Sequence, residues 1–403
     1  MSFIAKIILG MILGDLAWWW RADRLLRPLP RQRTWRAALG IFIVSQIAGL
    51  ALVLASRMHT RVLDALLSRA LLSAVYLWHL MILPPVLIVS FPIELARGVV
   101  ALARRLLGIG PAPSSPHTGL TRREFLGAAA AIAPAVLSIA GVAAAVPQLS
   151  RFRLRRIELP LASLPRALDG LTIAHVTDIH VGRFTHGAVL DEIVSTTNAL
   201  AADLVLMTGD LINYALSDLP VGLDLVRQLR ATHGVFMCEG NHDLIEDGAA
   251  FVRKTRAAGV PLLVDESTTI EIRGERVQLL GLPWGAPGAA HVHPGDAAIA
   301  FSARRLLSQR RDDAFPILLA HHPHAFDFAE SIPLTLAGHT HGGQIMFSKT
   351  SGFGPWLFRY WSGVYTRAGR TLVVSNGVGN WFPLRTNAPA EIVHLTLRSG
   401  GGK

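Results

Sequence analysis

Leu171-Thr172-Ile173-Ala174-His175-Val176-Thr177-Asp178-Ile179-His180 reads as a short apolar strand that stops on two polar side chains. The pattern returns four times. Leu204–Met207 runs into Gly209-Asp210, and Gly234–Met237 into Gly240-Asn241-His242-Asp243. Ile317–Leu319 runs into His321-His322-Pro323, and Leu334–Leu336 into Gly338-His339-Thr340-His341-Gly342-Gly343. Between the first two runs, Val189, Ile193, Thr197 and Leu200 recur at helical spacing. Between the second and third, Val221, Leu225, Val226 and Leu229 do the same. Strand–helix–strand alternation predicts an α/β core. Val277–Leu282, Leu372–Val374 and Ile392–Leu397 are further strands, close enough for hairpins or a second sheet. Ligand sites of α/β sheets gather beyond the carboxyl ends of strands. Five polar clusters placed there should converge.

Residues two apart in an extended segment point to one side, so Asp178/His180 and His339/His341 can each present two donors together. Imidazole, carboxylate and amide without thiolate suit divalent Mn²⁺, Fe²⁺ or Zn²⁺. The neighbouring glycines allow sharp exits from the strands and close backbone approach.

The series Asp178-x-His180, Gly209-Asp210, Gly240-Asn241-His242-Asp243, His321 and Gly338-His339-x-His341 resembles the calcineurin-like metallophosphoesterases over about Thr172–Gln344. Gly338–Gln344, Ser375–Gly379 and Pro383–Pro389 look like the bacterial membrane-linked or exported subgroup. That subgroup includes twin-arginine-exported phosphoesterases and UDP-2,3-diacylglucosamine pyrophosphatases. The resemblance implies an α/β fold of two sheets in a sandwich flanked by helices, and two divalent ions. One ion would take Asp178, His180 and His341, the other Asn241, His321 and His339, with Asp210 bridging. A bridging hydroxide would attack phosphorus while His242 protonates the leaving oxygen and Asp243 orients its ring. Of His321 and His322, the family spacing selects His321 as the ligand.

Away from these clusters the residues read more plainly. His291 and His293 fit a loop, His175 a core or supporting histidine, and Cys238 a packed strand position. Trp356, Tyr360, Trp361, Trp381 and Phe382 read as core or pocket wall, with a lipid-facing rim as the alternative. A single cysteine excludes a disulfide scaffold.

The N-terminal third is different. Of the net +11, residues 1–156 contribute 19 Lys+Arg against 5 Asp+Glu, so the remainder is slightly acidic. That split argues against nucleic acid, which needs basic residues on the globular body. The basic residues instead flank the apolar stretches Phe3–Trp20, Ala37–Ser56, Ala70–Ser90 and Leu126–Val146, each close to the roughly 20 residues of a membrane span. Trp18-Trp19-Trp20 fits an interfacial aromatic belt. Thr121-Arg122-Arg123-Glu124-Phe125-Leu126 resembles a twin-arginine export signal. The expected plan is a three-span region over 1–109, a linker over 110–125, a fourth span or export segment over 126–146, and the hydrolase domain over 157–403. Arginines 21, 24, 27, 31, 33 and 36 crowd the first loop and predict that it is cytoplasmic. Four spans then place the catalytic domain outside, anchored to the cell (inner) membrane. Arg151, Arg153, Arg155 and Arg156 beside the last span oppose that orientation.

The function expected is a membrane-tethered two-metal hydrolase of a phosphoester or pyrophosphate bond. Its partners would be the membrane and a phosphate-ester substrate, with a lipid or nucleotide-linked lipid as candidates, and no nucleic acid. The alternative is a membrane-anchored binding or sensing module with a weak metal site.

Overall fold

The computed structural model describes residues 3–58, 69–109, 119–285 and 295–400. Residues 110–118 of the expected linker, 59–68 of the second loop, and His291 and His293 lie outside the described residues. The chain divides into Met1–Val146 and Pro147–Lys403.

The first unit is helical: α1 Phe3–Leu26, α2 Gln32–Met58, α3 Arg69–Tyr76, α4 Leu83–Leu106 and α5 Arg122–Ala145, with a π-helical turn at Leu77–Ile82. Among the described residues, three stretches are long and apolar enough to cross a membrane: Gln32–Ala55, Arg69–Leu106 and Arg122–Gln148. The middle one runs well past Ser90, where its apolar stretch ends in sequence. Its exposed continuation is braced by Glu94, which pairs with Arg97 at 2.8 Å and Arg21 at 3.1 Å.

Two features of this unit differ from expectation. Thr121 caps α5 in a reciprocal box: Glu124 N–H donates to Thr121 Oγ1, and Thr121 N–H to the Glu124 carboxylate. The helix therefore starts at Arg122, and Arg122-Arg123 occupy its first turn rather than a linker. Trp18 also leaves the expected belt. It is buried against Trp78 with ring centres 4.9 Å apart, while Trp20 stays exposed. Trp78 in turn donates to buried Asp15, which faces His79 Nε2 at 3.0 Å. A polar contact inside an apolar bundle binds helices tightly because no water competes for it.

In the second unit the elements are β1 Phe152–Leu161, β2 Thr172–Val176, α6 Ala188–Ala199, β3 Leu204–Thr208, α7 Leu219–Gln228, β4 Val235–Cys238, α8 Gly248–Ala257, β5 Glu266–Ile272, β6 Glu275–Gly281, α9 Asp296–Leu307, β7 Phe315–Leu319, β8 Leu334–Ala337, α10 Phe353–Leu357, β9 Gly363–Arg367, β10 Arg370–Val374 and β11 Ala390–Ser399. One sheet has the order β1-β11-β2-β3-β4, the other β5-β6-β7-β8-β10-β9. The sheets face each other through Ile173, Leu204 and Leu206 on one side and Leu279, Ile317 and Leu336 on the other. The alternate residues point outward. Ala174, Val205 and Met207 pack under α6, α7 and α8, and Leu280 and Leu318 under α9. Burial on both faces explains why the central strands read as unbroken apolar runs.

All eight strands read from sequence are present. The three additional ones, β1, β5 and β9, are sheet edges. Edge strands expose one side and carry charge, which hides them from a hydropathy reading. At β1 this moves the start of the domain from Ile157 to Phe152. Arg153 and Arg155, which read as a basic patch beside a membrane, pair with the buried carboxylate of Glu391 at 2.7 and 3.3 Å.

Candidate metal centre

Every expected donor lies just past the carboxyl end of its strand: Asp178 and His180 after β2, Asp210 after β3, Asn241 after β4, His321 after β7, His339 and His341 after β8. The exits are sharp. Asp178, His180, Asp210, His339 and His341 all have φ between +50° and +71°. Non-glycine residues hold that conformation at a cost of about 1–3 kcal/mol each, and such positions cluster at functional sites. The turns are laced together, with Asp178 N–H donating to Gly209 O and His180 N–H to Asp210 O, both at 3.0 Å. Two glycines make room. A Cβ on Gly240 would overlap Asp210 Oδ1, and one on Gly338 would overlap Asp178 Oδ2.

The donor atoms form two groups sharing one carboxylate. In the first, His341 Nε2 lies 3.2 Å from Asp178 Oδ1 and 3.0 Å from His180 Nε2. In the second, Asn241 Oδ1 lies 3.2 Å from His321 Nε2 and 3.1 Å from His339 Nδ1. Asp210 Oδ2 stands between, 3.4 Å from His180 Nε2 and 3.1 Å from His321 Nε2. All seven residues are brought together.

Whether cations fit can be judged from the hydrogen-bond inventory. His321 donates Nδ1–H to Thr208 O at 2.6 Å. Its neutral ring therefore turns an Nε2 lone pair toward Asp210 Oδ2 and Asn241 Oδ1, which are lone-pair atoms themselves. Lone pairs crowded in a buried space repel unless a positive charge lies among them. The same demand appears as proton affinity. Burial opposes charge on His321, yet Asp210 pushes its imidazole up to about 9. Burial would raise Asp178, yet His341 and His180 hold it well below the usual carboxylate range. A nitrogen- and oxygen-rich ring without thiolate fits divalent ions of the Mn²⁺, Fe²⁺ or Zn²⁺ type.

His242 stands beside the ring. Its Nδ1–H donates to Asn213 O at 2.5 Å, its backbone N–H to Asp210 Oδ1 at 2.8 Å, and its ring meets His180 edge-on at 4.5 Å. The orienting partner is thus the Asn213 carbonyl rather than Asp243. Asp243 is turned away, accepting from the N–H groups of Asp210, Gly240 and Ile212 at 2.9, 2.9 and 3.1 Å. Its two oxygens take up three backbone donors, and the His242 ring is held by Asn213 O instead. Asp243 staples the β3 and β4 exits together. His322 lies with its ring 5.3 Å from that of His339 and its Nδ1 accepting from His324 N–H at 3.1 Å, while it is His321 whose Nε2 meets Asp210 and Asn241. His175 is buried with Nε2 against Thr208 Oγ1 at 2.8 Å, and burial takes its pKa down to about 4. It is a neutral core histidine. Cys238 is buried in β4.

Arg385 was not assigned a role from sequence. Its fully buried guanidinium donates to the carbonyls of Asn376, Gly379 and Ala388, to Asn380 Oδ1, and to His341 Nδ1 at 3.0 Å. This clamp aims His341 Nε2 at Asp178 and His180. Its signal in sequence was only an arginine in the family-like segment Pro383–Pro389. Nothing there indicated that it would be turned inward.

Residues 171–343 match the family model described as calcineurin-like phosphoesterase. A zebrafish (Danio rerio) transmembrane protein with metallophosphoesterase domain is 29% identical over 281 residues, covering 67% of this chain and 62% of that one. The chain therefore spans under two thirds of this relative. Phosphodiesterase YaeI of Escherichia coli K12 is 27% identical over 56% of this chain and 81% of its own length. A dimetal phosphatase from Danio rerio aligns over 56% of this chain and 91% of its own at 11% identity, with a TM-score of 0.35.

Proposed function

We propose, from the premise that residues 171–343 form a calcineurin-like phosphoesterase domain, that the C-terminal unit hydrolyses a phosphoester or pyrophosphate bond with two divalent ions. The observation carrying this reading is the pair of donor groups sharing Asp210. Asp178, His180 and His341 would hold one ion, Asn241, His321 and His339 the other, and Asp210 both. When bound, such a pair supplies Lewis-acid polarisation of the phosphoryl oxygens and a water-derived nucleophile at neutral pH. The chain's own residues do the rest. Arg385 and Thr208 O fix the rotation of two ligand rings. His242, held through Nδ1 by Asn213, keeps its other ring nitrogen for proton transfer. As water adds to phosphorus it releases one proton, and as the bond to the leaving oxygen breaks that oxygen takes one from His242 Nε2, which the proton released by water replaces. Binding without turnover is the weaker reading, because no ligand position is vacant in sequence and His242 stands beside the donor groups.

The test uses the purified full chain. Exhaustive chelation is expected to abolish hydrolysis of bis(4-nitrophenyl) phosphate, and Mn²⁺, Fe²⁺ or Zn²⁺ to restore it as elemental analysis approaches two ions per chain. Full hydrolysis by the chelated, metal-free chain would end the two-metal reading.

The apolar helices support a location in the cell membrane; a catalytic domain outside it and a membrane-associated substrate are part of the same proposal. The first loop's arginines favour that orientation, and the opposing signal is weakened because Arg153 and Arg155 are engaged by Glu391. An alkaline phosphatase fused after Lys403 should be active, and a fluorescent protein that matures only in the cytoplasm should stay dark. The reverse pattern would put the active site inside and make the Arg122-Arg123 resemblance a coincidence.

A further inference from the structure

Large apolar side chains are exposed at eight described positions of the C-terminal unit, and five gather on segments that touch the site histidines. Trp381, 41% exposed, has its ring 5.9 Å from that of His242 and 6.4 Å from that of His341. Tyr214, 53% exposed, follows Asn213, the residue that holds His242. Trp356 and Leu357, 61% and 68% exposed, precede Phe358, whose ring meets His339 edge-on at 6.0 Å. Phe347, 64% exposed, meets the Trp356 ring at a tilt with centres 5.5 Å apart. The segments bearing Phe347 and Trp381 are tied together: Met346 N–H donates to Thr386 O at 2.9 Å and Gln344 Nε2 to Leu384 O at 2.6 Å. Water-facing aromatic and aliphatic side chains cost free energy, and clustered exposure marks a contact surface.

The tether indicates what covers them. Leu149 is buried in the C-terminal unit, and its carbonyl accepts from Asn380 Nδ2 at 3.0 Å, next to Trp381. Ala145, the last residue of the apolar helix α5, lies four residues earlier. The apolar stretch Arg122–Gln148, long enough to cross a membrane, thus runs in sequence directly into Leu149, the residue that Asn380 holds next to Trp381.

We propose that Phe347, Trp356, Leu357, Trp381 and Tyr214 form a rim that docks on the lipid bilayer and opens the metal centre toward phosphoesters of lipid headgroups. Trp and Tyr suit that boundary because an apolar ring body and a polar N–H or O–H end match an interface that is dry on one side and wet on the other. The proposal rests on the phosphoesterase reading only for what the site does. The docking itself is independent of turnover.

Leu357→Cys and Asp312→Cys, each in the full chain in equimolar phosphatidylcholine–phosphatidylglycerol nanodiscs, carry an environment-sensitive fluorophore. Buried Cys238, its thiol pushed up by burial and by Glu239, escapes labelling. Asp312 is an exposed control that precedes β7, at the strand end opposite His321. The 357 label should be blue-shifted and quenched by brominated lipid at least about twofold more than the 312 label, with iodide access reduced in proportion. Trp356→Cys should repeat this. Equal iodide access at both positions would overturn the docking. So would protection that vanishes when each disc holds one chain, which would assign the face to a second copy. The labels report depth in inactive chains too, so failure of docking and failure of the hydrolase reading are told apart.

Discussion

Asp210→Asn is expected to weaken both metal positions together and to lower turnover by about 10⁴-fold, since removing charge stabilisation worth several kcal/mol reduces rate tenfold per 1.36 kcal/mol. The reason is geometric. Asp210 Oδ2 is within 3.4 Å of a ring nitrogen from each donor group, a position no other carboxylate holds among the described residues. Asparagine is the informative replacement. Asp210 has φ +56°, and asparagine tolerates that left-handed backbone, whereas alanine would add strain. Loss of metal then reports the missing charge rather than a refolded loop. His341→Ala is the comparison, since its Nε2 serves only the Asp178 side and should chiefly cost one ion. Metal content by elemental analysis, with far-ultraviolet circular dichroism as a control for folding, separates the outcomes. An Asp210→Asn chain that keeps two ions and full activity would remove Asp210 from the bridging position.

His242→Ala should behave in the opposite way, keeping its metals while losing about 10²–10⁴ in turnover on an alkyl phosphoester. The loss on a 4-nitrophenyl ester should be smaller, because an acidic leaving group needs less protonation in the transition state. The structure makes the separation possible. The His242 ring is anchored by Asn213 O, so removing it leaves both donor groups formed. A variant that lost its metals would instead make His242 a ligand. A uniform loss on both esters would assign it to positioning rather than to acid catalysis.

The candidate donors were legible because six of the seven follow central strands buried on both faces, and Asn241 follows β4, an edge strand whose last two residues are buried. An unbroken apolar run ending at a polar pair is visible without coordinates. Three of the four edge strands, β1, β5 and β9, were not legible, because their pattern is diluted by solvent-facing charge, and Arg153 and Arg155 in β1 looked like a membrane-proximal patch until Glu391 appeared beneath them. The partner of His242 was misread for a related reason. A carboxylate next in sequence is the natural candidate, yet Asp243 faces backbone donors from two strand exits, and the accepting oxygen comes from Asn213, 29 residues away.

By itself, then, the sequence determined the α/β class, the apolar helices, and which seven residues would meet. Periodicity and residue chemistry are local properties, and strand ends in an α/β sheet converge by topology. Tertiary structure alone decided how those residues are held: Arg385 turned inward against His341, Asn213 O behind His242, and Trp18 withdrawn into the helical core. Each is a contact between segments remote in the chain. A side chain's direction and partners depend on what the fold brings opposite it, and no spacing along the chain encodes that.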